Sequence, residues 1–430
     1  MGPVFFAAAN PAPPAWMILP FALLLFLIAA APLAVPVFWE RYHAAAAVGL
    51  GLCTGGFYLF VLHRWVPLWH AAAEYVSFLS LVGALYVVSG GILVRVKGEA
   101  VPWENCLFLC VGALLANLLG TTGASMLLIR PWIRMNKYRI TGFHIVFFIF
   151  IVSNVGGCLT PIGDPPLFLG FLKGVPFWWT LRECWLPWLL TLGVLLAVFG
   201  VLDFQNFRRA PERVREAQTR EEARSVDGLW NLLLAGAVVS GILLPFGWRE
   251  AAMLLAAVVS WRWTPKRIHE ANDFDLAPIR EVAWLFAGIF LTMLPALEIL
   301  GAQSEKLGIR SPLEFFWWTG ALSGVLDNAP TYLAFLSAAF GLEGLNLDAD
   351  MPGFLGRNAV LLKAVSMGAV FFGAMTYIGN GPNLMVKKIA EQQRVNTPSF
   401  PEYVWRFSCP VLLPVFGLVA LLCFSKWRVF

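Results

Sequence analysis

Stretches of about 20 predominantly apolar residues, the length a helix needs to cross a bilayer, follow one another along nearly the whole chain. In lipid every backbone N–H and C=O has to find a partner within the protein, so such runs fold as helices or close into a barrel. A barrel needs alternating segments of about 10 residues, and none is visible. Of the 430 residues, 59% are hydrophobic and only 13% charged, too few charges to cover a soluble protein of this size. The chain reads as an all-α polytopic protein of the cell (inner) membrane. Spans are expected at 16–38, 43–62, 70–94, 142–172, 184–204, 229–246, 249–262, 280–299, 358–392 and 404–425. Two further apolar regions, 104–130 and 313–340, are interrupted near their middles by Asn117-Leu-Leu-Gly-Thr-Thr-Gly123 and Asp327-Asn-Ala-Pro-Thr331. Each reads as a re-entrant hairpin, two half-length helices that enter and leave on one side.

Loop charges test this arrangement. Segment 130–139 carries four basic residues and no acid, 205–228 carries six arginines and five acids, and 262–280 holds Arg262, Lys266, Arg267 and Arg280. With Lys387 and Lys388, all fall on one face if both interrupted regions are hairpins, and basic loops mark the cytoplasmic face. Ten crossings with both termini outside follow. Segment 206–228 reads as a charged cytoplasmic linker in which Glu216 and Arg220 form an i,i+4 pair on a helix. The net charge of +5 sits in loops and implies no nucleic-acid partner. The seven cysteines form no CxxC pair and no Cys/His cluster, and read as small buried hydrophobes. The first residues lack the basic start of a cleaved signal peptide.

One span contains residues that a lipid-embedded helix does not tolerate. Residues 153–166, SNVGGCLTPIGDPP, put paired glycines, three prolines and a carboxylate inside apolar sequence. At a constant offset of 216, GCLTPIGDPP (157–166) aligns with GAMTYIGNGP (373–382). Gly157 meets Gly373, Thr160 meets Thr376, Gly163 meets Gly379, and Asp164 meets Asn380. Each half runs three spans, hairpin, broken span, span. Five crossings per half invert the second repeat, so 1–205 and 229–430 read as inverted-topology repeats. Broken helices at matching places in two such halves point to a secondary transporter with its site at the breaks.

These motifs carry a resemblance. SNVGG at 153–157 and TPIGDPP at 160–166, with DNAPT at 327–331 and GNGPN at 379–383, resemble the signatures of the ion transporter superfamily, in the branch of arsenite pumps, sodium–proton antiporters and citrate transporters. The resemblance implies a scaffold domain, a transport domain carrying the hairpins and broken helices, frequent dimerisation and an elevator-like motion. The dicarboxylate-transporting members have Ser-Asn-Thr at their hairpin tips. This chain does not, which weighs against a carboxylate-binding site.

The breaks themselves suggest chemistry. The last carbonyls before Ser153 and Asn154 lose their helical partners and are expected to offer oxygen. Asp164 is suited to cap the following half-helix, with Pro165 at its first position. Because Pro165 and Pro166 donate no N–H, this end is a poor anion cradle. A carboxylate among carbonyls suits Na⁺ or a proton. At the second break Asn380 cannot titrate, and Asn383 adds donors and acceptors. Asp327 is a second candidate carrier or, alternatively, the Asx turn of its tip. Asn117, Thr121, Thr122, Asn328 and Thr331 offer neutral ligands at the tips, and Gly157, Thr160, Gly163, Thr376 and Gly379 complete the candidate set. His144, Glu74, Glu298 and Lys363 are left outside it. No Walker motif points to ATP, and no nucleophile–base pair or resident cofactor points to an enzyme. Sodium–proton antiport at Asp164 is the leading expectation, since a desolvated carboxylate favours the proton and a bound cation opposes it. Cation-coupled transport of citrate or another anion is the alternative.

Overall fold

A computed structural model describes residues 13–96, 101–209 and 225–425. The N-terminal reading and the 216–220 pair lie outside them. The described chain is helical apart from one short ribbon, in which β1 (Leu93–Arg95) pairs antiparallel with β2 (Ser225–Asp227).

Prolines set where the helices begin. α1 (Leu19–Ala34) stops at Val35 and α2 (Pro36–Phe60) starts on Pro36. The residue before a proline is pushed out of helical conformation, while proline suits the first helical position. Span 16–38 therefore ends early, and the charged Glu40–His43 stretch joins α2. α3 (Val66–Gly90), α4 (Pro102–Met135) and α6 (Pro165–Leu172) also carry proline in their first turn. α5 (Gly142–Ile151) is apolar all round, and Ile145 through Ile151 are fully buried, which makes it the inner element. α7 (Trp179–Arg209) runs longer than the expected 184–204 at both ends.

α8 (Asn231–Gly241) and α9 (Trp248–Trp263) are short; α10 (Lys266–Ala271) leads into α11 (Ala277–Ala302). α12 (Pro312–Ser323) and α13 (Asn328–Leu342) follow, then α14 (Met351–Phe372), α15 (Gly381–Gln392) and α16 (Phe400–Phe424). α14 begins before the expected span 358–392 and kinks at Asn358. α16 opens with a π-helical stretch, Tyr403–Leu412, around Pro410, where a normal hydrogen bond cannot form. Nine helices among the described residues are long and apolar enough to cross a membrane, and α8 and α9 fall short of that length. Cys158 and Cys184 are buried, whereas Cys53 is exposed and the other four are intermediate, so burial holds for two of the seven.

α4 is not a single rod. Gly120 sits at φ 73°, outside helical conformation. Asn105 donates to Asn136 Oδ1 at 2.8 Å, and Asn136 donates back at 3.1 Å. A straight helix would hold residues 31 apart at roughly 46 Å, so α4 folds back on itself at Gly120. α12 and α13 are likewise separated at 324–327, with Asp327 as the cap of α13.

Candidate functional site

The two breaks share their local geometry. In the first, α5 passes through a 3-10 turn, Val155–Leu159, to α6; in the second, α14 passes through Gly373–Met375 to α15. The residue before each second half is extended, Asp164 at φ −144°, ψ 143° and Asn380 at φ −153°, ψ 141°. Thr160 Oγ1 accepts from Gly163 N–H and Thr376 Oγ1 from Gly379 N–H, both at 3.2 Å. A Cβ on Gly163 would lie 2.1 Å from Gly157 O, and one on Gly379 2.7 Å from Gly373 O. The glycines are there because backbone meets backbone across each break.

Asp164 stands where everything converges. It is 1% exposed. Thr121, just past the turn of α4, donates its hydroxyl to Oδ1 at 2.7 Å. Asn380 of the second break donates to the same oxygen at 2.9 Å. Asn328, in the first turn of α13, donates to Oδ2 at 2.5 Å. All three donors are neutral, and among the described residues no Lys, Arg or His forms an ion pair with Asp164. The expected cap is corrected here. The Asp164 carbonyl starts α6 by accepting from Leu167 N–H at 3.0 Å, but its side chain caps nothing. Three neighbours reach it from other elements and hold it away from its own helix.

The freed carbonyls also differ from expectation. Ile149 O accepts from Asn154 at 2.8 Å, Ser153 O from Asn380 at 3.0 Å, and Gly156 O from Asn117 at 2.7 Å. Gly163 O takes Thr121 N–H at 2.7 Å. These oxygens are occupied by side chains and backbone of the neighbouring elements. Asn154 also donates to Asn383 Oδ1 at 2.8 Å, and Asn383 donates to Gly373 O and Thr376 O, so this pair stitches the two breaks together. One oxygen is left over: Asn328 Oδ1 is buried with no partner.

Other candidates serve the turns. Asp327 accepts from Ala329 N–H at 3.0 Å and Thr331 donates to Asp327 O at 2.9 Å, which is the Asx-turn alternative. Thr160 donates to Asn117 O at 2.7 Å, and Asn117 Oδ1 accepts from Leu159 N–H. Ser153 Oγ pairs with Ser125 Oγ at 2.7 Å. Thr122 is half-buried beside a cavity of about 20 Å³, bounded by Phe78 and Leu85 of α3, the turn of α4, and Asp164. About 10–15 Å³ of this kind holds one water, so the space suits a water or a bare small cation.

Sequence reasoning missed a second polar cluster. Asp203 is fully buried. It accepts from Arg139 through two guanidinium nitrogens, from His144 Nε2 at 3.0 Å and from Asn105 at 2.8 Å. His144 Nδ1 accepts from Thr141 N–H at 3.2 Å, which leaves the ring hydrogen on Nε2. The available signal was a carboxylate inside the last apolar turns of 184–204. Glu74 and Glu298, also left outside the candidate set, each hold an ion pair. Lys173 bridges Glu74 and Asp348, both at 2.6 Å, and Glu298 pairs with Arg64 at 2.7 Å.

Comparison with known proteins adds one family and several relatives. The family model described as "Putative citrate transport" matches residues 10–424. A 46 kDa membrane protein of Mycobacterium leprae is 26% identical over 350 residues, covering 76% of this chain and 78% of its own. An uncharacterized transporter of Mycobacterium bovis is 23% identical over 333 residues, covering 72% of this chain and 73% of its own. An uncharacterized transporter of Mycobacterium tuberculosis matches to the same extent.

Proposed function

The chain belongs to the "Putative citrate transport" family, and we propose that it is a secondary active transporter in which Asp164 carries sodium and protons in exchange. The observation that carries this reading is a carboxylate 1% exposed, held by three neutral donors, with no cationic partner among the described residues. An unpaired charge at such depth is expensive, so a proton or a cation neutralises it. The unpartnered Asn328 Oδ1, the Thr121 hydroxyl and the carboxylate supply oxygen ligands suited to Na⁺. One carboxylate that two ions compete for gives antiport in its simplest form. Cation-coupled citrate transport is the second reading, favoured by the family's description. The small cavity and the lack of a basic side chain on Asp164 support the first.

In this proposal 1–205 and 229–430 are inverted repeats joined by the 206–228 linker, and α4 and α12–α13 are re-entrant hairpins. The polar clusters support it, because each unites residues from one predicted face. Glu74, Lys173, Asp348, Arg64 and Glu298 belong to the outer face; Arg139, His144 and Asp203 belong to the inner. A cysteine at Lys137, on a cysteine-free background, should resist an impermeant thiol reagent added outside, while one at Glu305 reacts. Outside labelling at position 137 would overturn the inverted arrangement.

Transport itself is tested in everted membrane vesicles holding a pH gradient. Na⁺ should discharge the gradient, and K⁺ and citrate should not. Sodium-dependent citrate uptake without proton movement would favour the second reading.

A further inference from the structure

Beside the Asp203 cluster, the first turns of α4 and residues 197–205 of α7 line a shallow, open groove of about 480 Å³. Its hollow comes from small side chains, Ala197 and Gly200 on α7 facing Cys106 on α4. A Cβ on Gly200 would already stand 3.3 Å from Cys106 Sγ. Trp103 and Phe204 form its rims, 65% and 52% exposed, and both helices are apolar enough to lie in lipid. The groove therefore opens to the bilayer.

Its mouth is basic. Arg208 and Arg209 end α7, both exposed, and neither forms an ion pair among the described residues. The Arg208 guanidinium lies 5.8 Å from the centre of the Phe204 ring, which holds its charge at the rim. Glu104, the acid of the first turn of α4, is itself engaged. An apolar groove between membrane helices that ends in two exposed arginines matches an anionic phospholipid, acyl chain in the groove and phosphate at the guanidiniums.

We propose that this groove binds one anionic phospholipid. The site backs onto the base of the α4 hairpin. Asn105 and Asp203, joined at 2.8 Å, are the chain neighbours of Cys106 and Phe204. A bound lipid braces from outside the two helices that this bond joins from inside. The inference does not depend on which ion or anion is carried.

Native mass spectrometry of the full chain, titrated with phosphatidylglycerol or phosphatidylcholine of the same acyl length, tests it. Phosphatidylglycerol should be retained at about thirtyfold lower concentration, the scale expected of two arginines at a membrane surface. The double variant Arg208→Gln, Arg209→Gln should abolish that preference, and Arg208→Lys, Arg209→Lys should keep most of it. Ala197→Phe, at an exposed position, should fill the groove and weaken retention of both lipids while thermal melting stays as in wild type. Equal retention of the two lipids by wild type would overturn the proposal. So would a phosphatidylglycerol preference that survives both the glutamine pair and Ala197→Phe, or a second copy of the chain seated there in place of lipid.

Discussion

Asp164→Asn should abolish the proposed exchange and leave the protein folded. The amide keeps the size of the side chain and one acceptor oxygen for Thr121 and Asn380, the donors to Oδ1. Its NH₂ would face the Asn328 amide, and Asn328 Oδ1 is free to turn and accept it. Stability should therefore change by no more than about 1 kcal/mol, the net worth of one hydrogen bond. What is lost is the charge and the titrating proton, so Na⁺-driven proton efflux should fall to the level of empty vesicles at every pH. Asp164→Glu should retain part of the activity with altered ion affinity, because the longer arm misplaces its oxygen. Asp327→Asn is the control. Its carboxylate caps Ala329 N–H, a task an asparagine performs as well, and transport should persist. Asn380→Asp would set a second carboxylate at 2.9 Å from the first. Two such groups cannot both ionise, so ion affinity and coupling should change. Wild-type exchange in Asp164→Asn removes this residue from the mechanism; loss in Asp327→Asn alone would transfer the role to the hairpin tip.

The breaks were legible because glycine, proline and aspartate have so little reason to sit together inside an apolar helix. Ser153 to Pro166 marked the first, and the offset of 216 marked the second. The two breaks agree down to the hydrogen bonds of Thr160 and Thr376. The turn of α4 was legible in the same way, since Gly120 takes a left-handed conformation that other residues avoid. Side-chain partners were not legible. Local chemistry makes an aspartate before Pro165 a helix cap, yet donors 43, 164 and 216 residues away claim its oxygens. Tertiary contacts of that kind leave no periodicity. The same holds for the carbonyls of Ser153 and Gly156, whose amide partners, Asn380 and Asn117, come from other segments. Helix starts were displaced where proline outweighed hydropathy, as at Pro36.

Asp203→Ala should be the most destabilising single change in the first half of the chain. The carboxylate is fully buried and neutralises Arg139, itself 6% exposed, while also receiving His144 and Asn105. Removing it takes the buried carboxylate away from that guanidinium, a loss that costs about 3–5 kcal/mol when one partner of an interior pair is deleted. Asn105 is tied to Asn136, so the loss also loosens the two ends of the α4 hairpin whose turn carries Thr121 to Asp164. Melting in detergent should fall by about 5 °C, and exchange should fall with it although position 203 touches no ion. His144→Leu should cost less, about 1–2 kcal/mol, since it removes one neutral donor and strands no charge. The decisive comparison is the double variant Arg139→Met, Asp203→Leu. Deleting both charges removes the pair as a unit, and replacing a buried pair by apolar residues is often neutral. The double variant should therefore melt well above Asp203→Ala. If Asp203→Ala melts like wild type, or the double variant melts lower still, the cluster does not hold the hairpin through charge neutralisation, and its geometry would have to be explained by packing of α5 against α7.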